Sequence, residues 1–180
     1  MQGIGANRRR RIIIELSFLF LLVALIAVDQ ITKYYFSHNL QYYEVRPVID
    51  GFFYFSYTIN TGAAWSFLAD VSWGQTFFKI ITAFAIIVFA FFYVYSLKKG
   101  YKWLKVSLVF LIGGTLGNFI DRLLINGVVD FIGFTFGEYN FPIFNLADTF
   151  LVVGVIMLLI QFLFIDENAV FKRNNASKDV

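Results

Sequence analysis

Apolar residues run almost unbroken through four stretches, roughly 12 to 36, 75 to 97, 103 to 124 and 147 to 165, with polar residues gathered between them. Each stretch is close to the ~20 residues that an α-helix needs to cross the hydrocarbon of a bilayer. The pattern predicts an all-α membrane protein, a four-transmembrane-helix bundle in one integral membrane domain over 1–180. Between the first two stretches the period changes. Val45 to Ile49 and Phe52 to Ile59 are rich in β-branched and aromatic residues and flank Asp50-Gly51, the strongest short hairpin signal. A small extracytoplasmic interfacial β-sheet is expected at about 40–60. Its Phe52, Phe53, Phe55 and Tyr57 are either a surface that dips into lipid or the sheet's own packing face.

Charge gives the bundle a direction. Arg8 to Arg11 precede the first span, Lys98, Lys99, Lys102 and Lys105 lie between the second and third, and Lys172, Arg173 and Lys178 follow the fourth. Basic residues near span ends are retained in the cytoplasm, so both termini are expected there and the 37–74 segment outside. The net charge of +3 follows from this topology, and no nucleic-acid partner is expected. Leu25-Ile26-Ala27 before Val28 is not a small-x-small cleavage site, so the first span reads as a retained anchor.

Composition at 59% hydrophobic, with 24 Phe, suits lipid. The absence of Cys excludes disulfides, thiolate nucleophiles and Cys-ligated metals, and a single His leaves zinc chemistry without a ligand set. That residue, His38, sits in Tyr34-Tyr35-Phe36-Ser37-His38, an aromatic belt at the membrane surface, and reads as an interfacial bystander.

The acids carry the chemistry. Asp29, Asp121, Asp130 and Asp148 all fall at the same end of the apolar stretches. Asp29 and Lys33 are spaced i, i+4 in the order that favours a helical ion pair, so Asp29 is expected to support a site rather than react in it. In the third span Gly113 and Gly117 have the spacing of close helix packing, while Gly114, Asn118 and Asp121 share one face. Polar groups at that depth face a bundle interior or a wet cavity. Asn60 is placed to cap a short helix, and the following Gly62-Ala63-Ala64 reads as either an ordinary helix start or a pocket wall. Asp130 stands alone in Gly127-Val128-Val129-Asp130-Phe131, where burial would raise its pKa. Asn145 and Asp148 have capping-box spacing at the start of the fourth span, a role compatible with a site if one carboxylate oxygen caps and the other faces the pocket. The external 125–144 segment, with Gly127, Gly133 and Gly137, is a candidate mobile flap.

If Asp130 and Asp148 meet across the bundle, they share a poorly solvated site and titrate as a coupled pair. An ionised member takes a proton from water as it attacks an amide, while the protonated member hydrogen-bonds the carbonyl oxygen. The helix N-terminus favours charge on Asp148, which makes Asp148 the initial base and Asp130 the acid. The principal rival is a small ion- or proton-coupled transporter subunit, which predicts acids spread through the membrane. A purely structural scaffold leaves Asp130 without a role. A metal-dependent headgroup transferase would need acids closely spaced on one helix, and no such cluster occurs.

Taken together the motifs resemble lipoprotein signal peptidase, the type II signal peptidase of bacterial inner membranes. Asp29-Gln30-Ile31-Thr32-Lys33 is similar to that family's D-Q-x-x-K, Asn60-Thr61-Gly62-Ala63-Ala64 to its N-x-G-A-A, and Gly114 to Asn118 with Asp121-Arg122 to its G-x-x-G-N-x-x-D-R. Val128-Val129-Asp130-Phe131 and Phe144-Asn145-Leu146-Ala147-Asp148 resemble its two aspartate blocks. Trp65 stands where Phe is common in the family. The resemblance implies cleavage of prolipoproteins before a diacylglyceryl-modified cysteine, at the outer leaflet, by an aspartyl dyad without cofactor or metal. It implies Asp130 and Asp148 as that dyad, with Asp29, Lys33, Asn60, Gly62, Gly114, Asn118, Asp121, Arg122, Asn145 and Ala147 shaping or supporting the pocket. It also implies that globomycin, a cyclic-peptide inhibitor of the family, occupies the same pocket.

Overall fold

Apart from its ends, a helix closes its backbone hydrogen bonds within itself, which is why long apolar segments adopt it where water is absent. The computed structural model of the protein describes residues 2–62, 71–99 and 101–165. Within them the four apolar stretches form α1 (Gln2–Asn39), α2 (Gly74–Lys99), α3 (Lys102–Ile125) and α4 (Leu146–Ile160), the last continued by a π-helical turn at Gln161–Ile165. All four are long and apolar enough to span a membrane, at Arg8–Asn39, Gly74–Leu97, Lys102–Ile125 and Leu146–Ile165. The predicted spans agree, except that α1 begins well before the apolar run.

The four helices are not equivalent. The most apolar window of α3 has the lowest mean hydropathy, 1.6, yet 56% of it is buried, against 6–11% in the others. Its polar and small residues therefore face protein while the other helices present their apolar sides to lipid, and α3 packs on each of the other three. Small residues set the distances. A Cβ at Gly114 would collide with the Ala147 carbonyl oxygen and lie 2.9 Å from Leu151 of α4. One at Gly117 would lie 2.5 Å from Asp29 Oδ2 of α1. Thus α3 approaches α1 and α4 closely enough for backbone and short polar groups to meet. At the opposite end of the bundle, Lys105 of α3 is buried against Glu15 of α1, which also accepts from the Tyr93 hydroxyl of α2 at 3.1 Å.

Beside the other end lies a four-stranded antiparallel sheet in the order β1 (Val45–Ile49), β2 (Phe53–Asn60), β3 (Val128–Phe136) and β4 (Tyr139–Asn140). The expected hairpin is present: Asp50-Gly51 turns β1 into β2, with Gly51 at φ +69°. The sheet extends beyond the predicted 40–60 region, however, because β3 comes from the segment read as a candidate flap. β3 is not a free loop; it is a central strand, pairing Thr58 with Asp130 and Asn60 with Val128. Its first residues are buried on both faces, so Val128, Val129 and Phe131 are apolar around the one acid, Asp130, and show no period of two. Phe36 of α1 stacks on Phe131 at 4.5 Å and meets Phe55 at 4.6 Å, while Phe53 stacks on Phe134 at 5.0 Å. These rings make the sheet's packing face and fasten it to α1. His38 is exposed, its ring stacked on Tyr34 at 3.9 Å.

Overpacking a tight helix crossing costs about 1–3 kcal/mol. Gly114→Ala is therefore expected to lower stability by about that amount. Gly137→Ala, where φ is +64° and nothing lies within 4 Å of the position a methyl group would take, meets only the left-handed backbone penalty of about 1–2 kcal/mol. Thermal unfolding of both variants in detergent checks the order.

Candidate active site

An isolated carboxylate is rarely buried unless donors surround it. Asp130, 3% exposed on β3, and Asp148, in the first turn of α4, are each supplied with donors from other elements. Asn145 is the N-cap of α4: its side-chain oxygen accepts from Asp148 N at 2.9 Å, and Asp148 Oδ2 accepts from Asn145 N at 3.2 Å. The predicted capping box is thus complete. Asp148 Oδ1 is not left open either, since Asn118 Nδ2 of α3 donates to it at 2.7 Å. Asn145 Nδ2 faces the other way and donates to Asp130 Oδ1 at 2.7 Å, Val129 O at 3.2 Å and Asn118 Oδ1 at 3.1 Å. Asn60, the last residue of β2, donates through Nδ2 to Asp130 Oδ2 at 3.1 Å and accepts from Gly62 N at 2.9 Å. Three asparagines from three elements therefore hold both aspartates.

Beneath them lies a buried ionic layer. Lys33 Nζ, from α1, is 2.8 Å from Asp29 Oδ2, 3.0 Å from Asp121 Oδ2 and 2.9 Å from Asn118 Oδ1. Lys33 is 3% exposed and Asp29 not at all. The i, i+4 pair expected between Asp29 and Lys33 is present, with Asp121 added across the helix interface. Each acid does a second task. Asp29 Oδ1 accepts from Ala147 N at 2.9 Å, satisfying a free amide at the start of α4, and Asp121 Oδ2 accepts from Val129 N at 3.0 Å, anchoring β3 beside Asp130. Gly114 and Gly117 permit this by letting α3 close on α1 and α4.

Arg122 lies at the rim. Its guanidinium donates to the Asn118 and Gly62 carbonyls at 3.3 and 3.5 Å and stands 5.4 Å over the Phe78 ring, within electrostatic reach of Asp148, Asp130 and Asp121. All twelve residues expected at the site converge on this end of the bundle. Ala63, Ala64 and Trp65 lie outside the described residues, as does any helix capped by Asn60. Gln30 was not among the expected site residues, although its Nε2 donates to Asp121 Oδ1 at 2.9 Å, Gly117 O at 3.1 Å and Asp29 Oδ2 at 3.2 Å. The signal for it was adjacency to Asp29 on a helix whose apolar run it interrupts.

Burial, and then the nearby charge of Asp148, push Asp130 from an ordinary 3.8 up to about 7, against the opposing pull of its bonds from Asn60 and Asn145 and the charge of Lys33. A carboxyl group so placed is able to hold a proton near neutrality and deliver it.

A family model described as signal peptidase (SPase) II matches residues 21–164. The lipoprotein signal peptidase of Bacillus pumilus is 46% identical over 141 residues, 77% of this chain and 87% of that protein. That of Bacillus subtilis is 44% identical over 147 residues, 81% and 93% of the two chains. The solved structure of a bacterial membrane enzyme superposes with a TM-score of 0.73 at 35% identity, covering 91% of this chain and 94% of its own. A second bacterial membrane enzyme structure gives 0.70 at 37% identity, covering 82% and 92%.

Asp130 binds its proton more tightly in the folded protein than in the unfolded chain, so folding takes up a proton between about pH 4 and pH 7. Stability contributed by that proton is present at the acid end and is lost as pH rises through the window. Asp130→Asn is expected to lack this component, so the wild-type and variant unfolding temperatures converge or cross as pH rises, which a thermal-unfolding series from pH 4 to pH 8 measures.

Proposed function

The chain belongs to the signal peptidase II family, and on that premise we propose that it is an aspartyl endopeptidase that removes the signal peptide from diacylglyceryl-modified prolipoproteins, cutting just before the lipidated cysteine. The observation that carries the reading is the asparagine-held pair, Asp130 on a strand and Asp148 at a helix N-terminus, which lie in the two segments that resemble the family's aspartate blocks.

In this reading Asp148 begins ionised. The start of α4 carries positive partial charge, and Asn145 N and Asn118 Nδ2 both donate to the carboxylate. Asp130 begins protonated, as burial and the neighbouring charge favour. Water attacks the scissile carbonyl carbon while Asp148 takes its proton, and Asp130 gives its proton to the developing oxyanion. The tetrahedral intermediate then collapses: the C–N bond breaks as Asp148 returns its proton to the departing amine nitrogen, and the hydroxyl proton returns to Asp130. The two protons of the water leave with the products, both aspartates end in the protonation state in which they began, and no cofactor or metal takes part.

Topology supports a lateral substrate. Arg8 to Arg11 and the Lys98, Lys99, Lys102 and Lys105 cluster lie at the end of the bundle away from the aspartates, so the positive-inside rule puts both termini in the cytoplasm of a bacterial cell and the dyad near the outer leaflet of its inner membrane. A peptide anchored by acyl chains reaches such a site sideways from lipid. The β1–β2 hairpin would align the chain passing over it, and a globomycin-type cyclic peptide would compete for the same cleft. The whole chain, 1–180, acts as one membrane domain in this reading.

The purified protein, in detergent with a chelator present, is expected to cut a diacylglyceryl-modified prolipoprotein. Asp130→Asn and Asp148→Asn, folded to the same extent, are each expected to lower turnover by about 10²–10⁴-fold, the usual contribution of a general acid or base. Quantified product on a gel decides it. A wild type that leaves the precursor intact overturns the function, and loss in only one variant moves the second role to Asp121.

A further inference from the structure

A primary amide has a donor end and an acceptor end of nearly the same shape, so its partners decide which way it points. Asn118 is placed where that choice matters. Its Nδ2 donates to Asp148 Oδ1 at 2.7 Å, whereas its Oδ1 accepts from Lys33 Nζ at 2.9 Å and from Asn145 Nδ2 at 3.1 Å. Turned over, it would present a carbonyl oxygen to a carboxylate and an NH2 group to an ammonium, both repulsive. Lys33 has donors and no acceptor, and no rotation of its ammonium tolerates the reversed amide.

We propose that Lys33 is a positioning residue for the cleavage reaction: it fixes the polarity of the Asn118 amide, so that Asp148 meets a donor rather than an acceptor. This rests on the reading of Asp148 as half of a catalytic dyad. The ammonium itself is held in place from two helices, by Asp29 Oδ2 at 2.8 Å and Asp121 Oδ2 at 3.0 Å, and Gln30 Nε2 braces both carboxylates. A chain of directed bonds thus runs from α1 through Lys33 and Asn118 to Asp148. The adjoining chain runs through Asn145 to Asp130, and the two meet at Asn118 Oδ1. The charged groups facing this relay are Asp29 and Lys33 of α1, Asp121 and Arg122 of α3, Asp130 of β3 and Asp148 of α4.

The alternative is that Lys33 only neutralises Asp29 and Asp121. The two are separated by removing one ammonium and one carboxylate together, since Lys33→Met with Asp29→Asn leaves the net charge of the cluster unchanged and retains an amide oxygen for Ala147 N. In the full-length protein, kcat for the diacylglyceryl-modified precursor is expected to fall about 100-fold in this double variant, the scale of a small misplacement at a reacting centre. KM is expected to stay within about threefold, because substrate contacts are intact. Wild-type kcat in the double variant overturns the proposal, as does a loss confined to KM.

A second measurement needs neither turnover nor a Lys33 variant. In ¹⁵N-labelled protein the Asn118 side-chain NH2 resonance, assigned by its loss in Asn118→Leu, is expected to shift in Asp148→Asn, where the acceptor loses its charge. A resonance unmoved by that substitution means that the amide does not point at Asp148 and overturns the proposal. If the wild type fails to cut the precursor, the proposed function falls, while the resonance still decides which way the Asn118 amide points.

Discussion

One buried ammonium organises this end of the protein. Lipid offers no hydrogen bonds, so Lys33 is tolerable at 3% exposure only because two carboxylates and an amide oxygen close around it. Those partners arrive from different helices, Asp29 from α1 and Asp121 and Asn118 from α3. Satisfying one charge therefore sets the rotation and height of one helix against the other. Asp29 accepts from Ala147 N through its other oxygen, and Asp121 accepts from Val129 N through the same oxygen that meets Lys33, which carries the constraint on to the start of α4 and the start of β3. Ionic pairing, a weak source of stability in general, here has its effect through register.

Such convergence requires backbones to come close. Gly114 against the Ala147 carbonyl and Gly117 against Asp29 remove the side chains that would hold α3 away, and the stability lost through glycine in a helix is offset by packing that only glycine allows. The sheet supplies what a bundle alone lacks. A side chain on β3 approaches α4 from outside the helical axis, so Asp130 reaches Asn145 without a fifth span, and Phe36 stacked on Phe131 keeps that strand against α1. At the far end of the bundle, Lys105, Glu15 and Tyr93 join α1, α2 and α3 in a second polar clasp. The helices are thus tied near both ends, with apolar contacts between.

Much of this was readable from residue order. Four apolar runs, the Asp50-Gly51 hairpin, the Asp29–Lys33 pair and the Asn145–Asp148 capping box are local patterns, and each appears where its spacing placed it. What spacing hid was anything whose reason lies in a distant partner. β3 carries no alternation because both its faces are covered, so it passed for a glycine-bearing loop until β2 was laid beside it. Gln30 makes three bonds, two of them to residues about ninety positions away, and its place beside Asp29 in an apolar run marks it as polar without naming those partners. Likewise the aspartates could be grouped at one end of the bundle from sequence, with Asn60, Asn118 and Asn145 beside them, but not the way these three asparagines divide their donors between the two carboxyl groups.

That division is what makes two identical side chains chemically unequal. Asp148 sits in the first turn of a helix, where the Asn145 backbone amide and the oriented Asn118 side-chain amide both donate to its carboxylate. Asp130 sits on a strand at 3% exposure, where desolvation opposes charge and the charge of Asp148 adds to the opposition. The proposed reaction needs a base and an acid at the same pH, and the burial that raises Asp130 provides the acid from the same residue type as the base. The inequality follows from secondary structure, helix start against buried strand, so it exists before any substrate arrives. A precursor entering from lipid would add its own desolvation to a site already polarised, which strengthens every interaction within it.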